Sequence, residues 1–242
     1  MKFPSSWSAP RVFRLLRDEI GLALVLVVIA GGILAFLRLA DTVVEGESEA
    51  FDRAVLLLFR NPADLAQAPG PAWLAGVMRD ITALGGLAVL TLIVAVTTIY
   101  LVLVGKRAAA SFVLAAVVGG TVLSHGLKML FDRPRPDLIP NAPLELTASF
   151  PSGHAMISAV TYLTLGVLLT RLDAPRRVHA YFLVVAVVMT VLIGISRVYL
   201  GVHWPTDVLA GWCLGAAWAL FCWLVALWLQ RRGKIERAGD RA

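Results

Sequence analysis

The sequence has little charge and almost no cysteine. Of its 242 residues only 16% are charged and 59% are hydrophobic, whereas soluble globular domains contain about 25% charged and about 45–50% apolar residues. This deficit of charge excludes an ordinary soluble domain and indicates an integral membrane protein. The two cysteines, Cys213 and Cys222, lie in one apolar stretch, too far apart along a helix to pair with each other.

The chain also lacks a Pro/Gly/Ser-rich linker, an internal repeat and a low-complexity tract, which predicts a single domain over residues 1–242. Its net charge of +6 and pI near 9.8 suggest a nucleic-acid partner at first sight. The basic residues, however, cluster at the ends of hydrophobic segments, as membrane topology predicts. We therefore expect a bilayer and no nucleic acid as the surroundings of this protein.

Six hydrophobic stretches are long enough, or nearly so, to cross a bilayer, which takes about 20 helical residues. Continuous rather than alternating apolar runs favour helices, which satisfy their own backbone in lipid. The first run is longer than a signal-peptide core and has Asp18 and Glu19 in its flank, so we expect a retained helix. The predicted fold is all-α, a six-transmembrane-helix bundle, with spans near Ile20–Leu39, Ile81–Val104, Ala108–Leu130, Ser152–Leu172, Val178–Ile195 and Pro205–Leu229.

The positive-inside rule orients these spans. With both termini in the cytoplasm, most of the 22 Lys and Arg residues lie on the inner side. The loops that follow spans three and five then share the outer side. We predict a multi-pass protein of the cell membrane whose distinctive motifs, described below, all lie on the outer, periplasmic side.

Two short helices are predicted between spans one and two. Apolar residues recur there at helical spacing beside charged ones, which is typical of amphipathic helices at a membrane surface. A plain surface role and a role in guiding lipid are both open. The apolar positions are Phe51, Val55, Leu58 and Phe59 in the first helix and Trp73, Leu74, Val77 and Met78 in the second.

The segment Pro151-Ser152-Gly153-His154 opens span four. Pro151 disfavours helix at the residue before it, and Ser152 is a good N-cap. The N–H groups of Gly153 and His154 are then among the unpaired donors of the first turn, which favours an anion there. Ser-Gly alone would be read as an ordinary helix cap, but a histidine in the same turn favours a functional site.

A second motif runs from Lys128 to Pro136 at the outer end of span three. Pro134 and Pro136 stop the helix, so the chain can turn and bring Arg135 back toward Lys128. The planar guanidinium of Arg135 suits bidentate phosphate binding. Lys128 alone is equally well explained as a snorkelling anchor at the edge of the bilayer.

The third motif runs from Ser196 to Asp207. It places Arg197 at the outer end of span five, and Pro205 suits the first turn of span six. His203 and Asp207 are four residues apart across that helix start and can meet. A carboxylate on one imidazole nitrogen fixes the tautomer and makes the other nitrogen a better nucleophile.

Three chemistries can use these residues. A metal site would recruit His154, His203 and Asp207, but three nearby cations oppose a divalent ion. A Ser-His-Asp hydrolase would use Ser152 or Ser196, but it leaves the cations unexplained, and no G-x-S-x-G elbow is present. Phosphoryl transfer to a histidine uses every residue, because fixed cations and a helix N-terminus stabilise the charge on the phosphate oxygens.

The three motifs together resemble the tripartite signature of the type-2 phosphatidic acid phosphatase family, and the likeness extends from the first span to the last. Every signature position is filled. The matching residues are Lys128, Arg135 and Pro136, then Pro151, Ser152, Gly153 and His154, then Ser196, Arg197, His203 and Asp207. The hydrophobic spans argue against the soluble haloperoxidases that share this signature.

The resemblance implies a role for each residue. His203 would form a phosphohistidine, Asp207 would orient it, and His154 would protonate the leaving group. The phosphate would be bound by Lys128, Arg135, Ser152, Gly153 and Arg197. The family uses no metal and no other cofactor, so none is expected here.

The resemblance also implies a lipid phosphate or pyrophosphate as the substrate. Undecaprenyl pyrophosphate is the first expectation, because small bacterial six-span members often recycle that carrier. Phosphatidylglycerol phosphate, phosphatidic acid and lipid A remain alternatives, as do a lipid phosphotransferase and a non-enzymatic lipid-phosphate binding or transport protein. His125 is expected to be an intrahelical histidine, while Arg133 and Asp132 are left open between a head group and each other.

Overall fold

The computed structural model describes residues 9–138, 147–171 and 174–231, which form eight helices and no strand. This result confirms the predicted all-α fold. The termini, which were predicted to be cytoplasmic, and Leu172, the predicted end of span four, lie outside the described residues. The helices are α1 (Ala9–Val44), α2 (Glu49–Leu58), α3 (Ala72–Ala83), α4 (Leu87–Leu103), α5 (Arg107–Phe131), α6 (Gly153–Leu169), α7 (Arg176–Tyr199) and α8 (Pro205–Arg231).

Four of these helices are long and apolar enough to cross a membrane, namely α1 from Glu19 onward, α5, α7 and α8 as far as Gln230. The predicted second span is interrupted at Gly85 and Gly86, where α3 and α4 meet at 45°. Counted as one span, this pair makes a fifth. Helix α6 is apolar but has only 17 residues. The structure therefore supports four or five spans, and the count of six stays a prediction.

Helices α2 and α3 cover all but Phe59 of the residues for which two short amphipathic helices were predicted, but their amphipathic character as surface helices stays a prediction. In α2, Leu56 and the carboxylate-bearing Asp52 are fully buried, whereas Phe51 and Leu58 are largely exposed. Two residues of the predicted apolar stripe therefore face outward, whereas Phe59 packs against the core and the acidic Asp52 faces the protein. The position of these helices at a membrane surface stays a prediction.

Helix α6 packs against α5, α7 and α8 and is buried along most of its first half. Its closest approach to α8 depends on two glycines. A Cβ added to Gly211 would lie 2.8 Å from the backbone oxygen of Ser152, and one added to Gly215 would lie 2.6 Å from that of Met156. Small residues allow such close helix contact in membrane proteins. The result is that the start of α6 is held against the first turns of α8.

Three phenylalanines anchor the segment that leads into α6. Phe150 is fully buried, stacks on Phe36 of α1 at 5.8 Å between ring centroids, and meets Phe131 at the end of α5 edge-on at 5.0 Å. Aromatic pairs in these geometries add to the stability gained from burial. These ring contacts hold the end of α5, which carries the Lys128–Pro136 motif, close to the start of the Pro151–His154 motif.

Candidate active site

The three motifs meet at one end of the helix bundle, where hydrogen bonds join the segments that contain or flank them. Ser149 N–H donates to the Arg133 carbonyl at 2.8 Å, and Ser152 N–H donates to the Asp207 carbonyl at 2.9 Å. The Trp204 indole donates to the Pro134 carbonyl at 3.1 Å. Each motif is thus joined to another, so the signature residues are held by backbone as well as by side-chain contacts.

The N-terminus of α6 is built as its sequence predicts. Ser152 is the N-cap, and its buried hydroxyl accepts a long 3.5 Å hydrogen bond from Ala155 N–H. Gly153 is the first helical residue, and a Cβ added to it would lie 3.4 Å from Cε of Lys128. The Lys128 ammonium donates to the Ala148 carbonyl. A cation is therefore placed beside the N–H groups of a helix start, and both features attract an anion.

Arg135 reaches the imidazole of His203. Its Nη1 lies 3.3 Å from His203 Nε2 and donates to the Val202 carbonyl at 2.8 Å. Nε and Nη2 donate to the backbone and side-chain oxygens of Thr147, at 2.8 and 3.0 Å. These contacts fix the plane of the guanidinium next to Nε2, the imidazole nitrogen that does not face Asp207.

The two nitrogens of His203 face opposite charges. Nδ1 lies 3.3 Å from Asp207 Oδ2, and Nε2 lies 3.3 Å from Arg135. Because a guanidinium can only donate hydrogen bonds, Nε2 must present its lone pair, which puts the proton on Nδ1 beside the carboxylate. The structure therefore brings His203 and Asp207 together in the predicted arrangement.

The imidazole of His203 is neutral at neutral pH. Burial lowers its pKa to about 3, because the charged form loses its hydration, and the nearby charges of Arg197 and Arg135 act in the same direction. The hydrogen bond and the charge of Asp207 oppose this change but do not reverse it. Only the neutral ring can use its lone pair, so the environment keeps His203 competent as a nucleophile.

Asp207 is fully buried and held at both carboxylate oxygens. Oδ2 accepts from Trp204 N–H at 2.9 Å and from the Ser149 hydroxyl, besides facing His203. Oδ1 accepts from Arg133 Nη1 at 2.7 Å. A carboxylate with partners on both sides has a fixed orientation, and it fixes the imidazole in turn.

Arg197 and His154 are the remaining two of the predicted site residues. Arg197 lies in the last turn of α7, is nearly buried, and donates to the Thr82 hydroxyl of α3 at 3.3 Å. His154 is the second residue of α6, and a Cβ added to Gly85 would lie 3.6 Å from its Cδ2. The break between α3 and α4 thus lies directly beside the histidine expected to act as the acid.

Three contributors to this site were not anticipated. Ser149 contacts the carboxylate of Asp207, Arg133 joins Asp207 to Asp52, and Asp52 comes from α2. Arg133 had been left open between a head group and Asp132; its guanidinium donates to Asp52 and Asp207 instead. The position of Arg133, two residues before Arg135, was the one sign in the sequence that it belongs to the site. Its partners could not be predicted, because Asp52 and Asp207 are remote from it in sequence.

The other two chemistries considered for these residues fit the geometry less well. Within the part of the chain that the structure describes, no group of three or more His, Cys, Asp or Glu side chains can hold a metal ion. The Ser152 hydroxyl caps α6, and that of Ser196 donates to the Ile193 carbonyl at 2.6 Å. Ser149 lies on the carboxylate side of His203, whereas a nucleophilic serine belongs at the other nitrogen.

His125, outside the signature, is exposed on α5, and its Nδ1 lies 2.9 Å from the Thr121 carbonyl one turn earlier. This contact is the one expected of an intrahelical histidine.

Comparison with known proteins shows the family of this chain. A family model described as the PAP2 superfamily matches residues 108–231, a range that contains all three motifs. The chain belongs to the PAP2 superfamily. Phosphatidylglycerophosphatase B of Bacillus subtilis (strain 168) is 34% identical over 187 residues, which cover 75% of this chain and 86% of the relative.

A second relative and a solved structure also resemble this chain. An undecaprenyl-diphosphatase of Sulfolobus acidocaldarius is 34% identical over 137 residues, which cover 55% of this chain and 59% of the relative. The crystal structure of a transmembrane PAP2-type phosphatidylglycerolphosphate phosphatase from Bacillus subtilis superimposes with a TM-score of 0.70 at 31% identity. It covers 86% of this chain and 98% of that one. The protein is therefore a multi-pass membrane member of a lipid phosphatase family.

Proposed function

We propose that this PAP2 protein hydrolyses a lipid phosphate through a phosphohistidine on His203. The observation that carries the proposal is the placement of His203, whose Nε2 faces Arg135 while its Nδ1 faces Asp207. In the first step the Nε2 lone pair attacks phosphorus, a P–N bond forms and the P–O bond to the leaving group breaks. The imidazole becomes cationic in this step, and Asp207 stabilises that charge.

The other signature residues are assigned to proton transfer and phosphate binding. His154 protonates the leaving oxygen and then accepts a proton from the water that hydrolyses the phosphohistidine. Around the phosphate, charge is balanced by the cations and by the N–H groups at the start of α6. The proposed binding residues are Lys128, Arg135, Ser152, Gly153 and Arg197, and no step calls for a metal.

Phosphatidylglycerol phosphate is the substrate that we place first. Phosphatidylglycerophosphatase B of Bacillus subtilis, which matches 75% of this chain, is named for that activity, and so is the Bacillus subtilis crystal structure that superimposes on it. The undecaprenyl-diphosphatase relative covers less of the chain, so the sequence-based expectation of undecaprenyl pyrophosphate becomes the second candidate. We also propose the six-span topology, with cytoplasmic termini and the site on the outer face.

The test is phosphate release from a panel of lipids by the purified protein in EDTA, with His203→Asn as the inactive control. The proposal predicts the highest kcat/KM with phosphatidylglycerol phosphate and full activity in chelator. Retained turnover in His203→Asn would refute the nucleophile, and loss of activity in EDTA would refute the metal-free mechanism. Higher kcat/KM with undecaprenyl pyrophosphate would reverse the order of the substrates.

A further inference from the structure

A fully buried carboxylate on a short, otherwise peripheral helix calls for an explanation. Asp52 of α2 has no exposed surface, while Phe51 beside it is half exposed. Burial of a charge is costly unless the charge is paired and hydrogen-bonded. Of the charged residues of this helix, Asp52 faces the protein interior, whereas Glu49 and Arg53 are exposed; Asp52 must therefore have partners inside the protein.

Those partners are the first turn of α8 and Arg133. Asp52 Oδ1 accepts from Thr206 N–H at 2.9 Å, and Oδ2 accepts from the Thr206 hydroxyl and from Arg133 Nη2, both at 2.7 Å. Asp52 therefore supplies a carboxylate to the N-terminus of α8 from outside that helix, where negative charge is favoured. The same carboxylate fixes the position of Arg133.

Arg133 bridges two buried carboxylates. Nη2 contacts Asp52 and Nη1 contacts Asp207, each at 2.7 Å, and the guanidinium lies 5.6 Å over the ring of Trp204. Nη1 also donates to the Thr206 hydroxyl at 2.8 Å. Because Arg133 occupies Oδ1 of Asp207, the other oxygen is left to face His203.

The charges of Asp52, Arg133 and Asp207 together determine how strongly Asp207 attracts the imidazolium of His203. Arg133 alone would neutralise Asp207 and weaken its attraction for the imidazolium that forms when His203 attacks. Asp52 balances Arg133, so the group of two carboxylates and one guanidinium keeps one negative charge to share with His203. Residues that contact an orienting group in this way affect rates without touching the substrate.

We infer that Asp52 and Arg133 are positioning residues of the phosphatase reaction, which hold Asp207 and through it His203. The inference rests on the proposed role of His203 as the nucleophile. It gives the short helix α2 a function, namely to deliver a carboxylate to the active site from outside α5 and α8.

The experiment compares Asp52→Asn with Glu49→Gln in the purified full-length protein, assayed on phosphatidylglycerol phosphate. Both changes remove one carboxylate from α2, but Glu49 is exposed. The partners that orient metal-ligating histidines offer the nearest parallel, and loss of one of them lowers activity by roughly 10–100-fold. We expect that decrease in kcat for Asp52→Asn, with little change in KM, and wild-type kinetics for Glu49→Gln.

Chemical rescue separates positioning from folding. Arg133→Ala should lose kcat to a similar extent and regain part of it when guanidinium or methylguanidinium is added, whereas His203→Asn should gain nothing. If Arg133→Ala does not fold, Arg133→Lys and Asp52→Asn carry the test, with size-exclusion profiles and thermal unfolding as the measure of folded protein.

The outcomes distinguish this inference from the proposed function. Wild-type kcat in Asp52→Asn and in the Arg133 variant, with an inactive His203→Asn, would overturn the inference alone. A loss of kcat that follows the folded fraction and resists guanidinium would also overturn it. Activity in His203→Asn would instead overturn the proposed function on which the inference rests.

Discussion

Ser149 donates its hydroxyl to the Oδ2 atom of Asp207, the same oxygen that faces Nδ1 of His203. Its oxygen also lies 3.3 Å from Nδ1. One carboxylate oxygen therefore serves the imidazole, a hydroxyl and the backbone of Trp204. The orientation of the proposed nucleophile depends on this shared oxygen and on Arg133 at the other one.

Ser149→Ala should lower both stability and kcat. A hydrogen bond to a charged group contributes about 1.5–3 kcal/mol, so thermal unfolding should show a loss near the lower end of that range, and kcat should fall several-fold. Ser158→Ala is the matched control, because Ser158 is equally buried but donates to the Ala155 carbonyl within α6. Equal kcat in the two variants would show that Ser149 does not support Asp207.

Arg135→Lys should reduce kcat/KM strongly, because lysine keeps the charge but loses the planar fork that contacts both Thr147 and His203. Removal of one donor that stabilises transition-state charge costs about 10²–10³-fold in kcat. Steady-state kinetics on the preferred lipid measure the effect, with exposed Arg53→Lys as the control. A change below threefold would remove Arg135 from the phosphate-binding set.

The pKa of His203 leads to a prediction about pH. Since burial lowers this pKa to about 3, the ring should stay neutral from pH 8 to pH 5, and its ¹⁵N signals, assigned with His203→Asn, should not titrate in that range. The unfolded chain would take up a proton near the ordinary histidine value of about 6.5. The contribution of His203 to stability is therefore complete above that pH and declines as pH falls from there toward 3. A titration midpoint near 6.5 in the folded protein would contradict this account.

Gly211→Ala should destabilise the site through packing. The added methyl group would lie 2.8 Å from the Ser152 carbonyl, which must move together with the Ser152–Asp207 backbone contact. Overpacking costs about 1–3 kcal/mol. Gly31→Ala in α1 is the matched control, because an added Cβ there meets nothing within 4 Å. Equal thermal stability of the two variants would contradict the close α6–α8 contact.

Local patterns in the sequence predicted the features that depend on local rules. The cap at Ser152, the stop at Pro134 and Pro136, and the four-residue spacing of His203 and Asp207 each follow from helix geometry. Of the side chains predicted to form the site, Arg135 and Asp207 contact His203; the site as a whole stays a prediction. The hydropathy pattern also gave the all-α fold, because continuous apolar runs favour helices.

Contacts between side chains far apart in the sequence could not be predicted from it. Arg133 and Asp52 are 81 residues apart, and no spacing rule relates them. The break at Gly85 and Gly86 was missed for a related reason. The predicted span began at Ile81, and apolar residues on both sides of the two glycines carried it through the break.

The most direct test of the account is to trap the phosphoenzyme. The purified protein is mixed with ³²P-labelled lipid phosphate in EDTA, quenched in alkali within milliseconds, and digested to locate the label. The account predicts an acid-labile, alkali-stable phosphate on the peptide that contains His203, formed as fast as turnover requires and absent in His203→Asn. Turnover without such a species, or the same labelled species in His203→Asn, would contradict it.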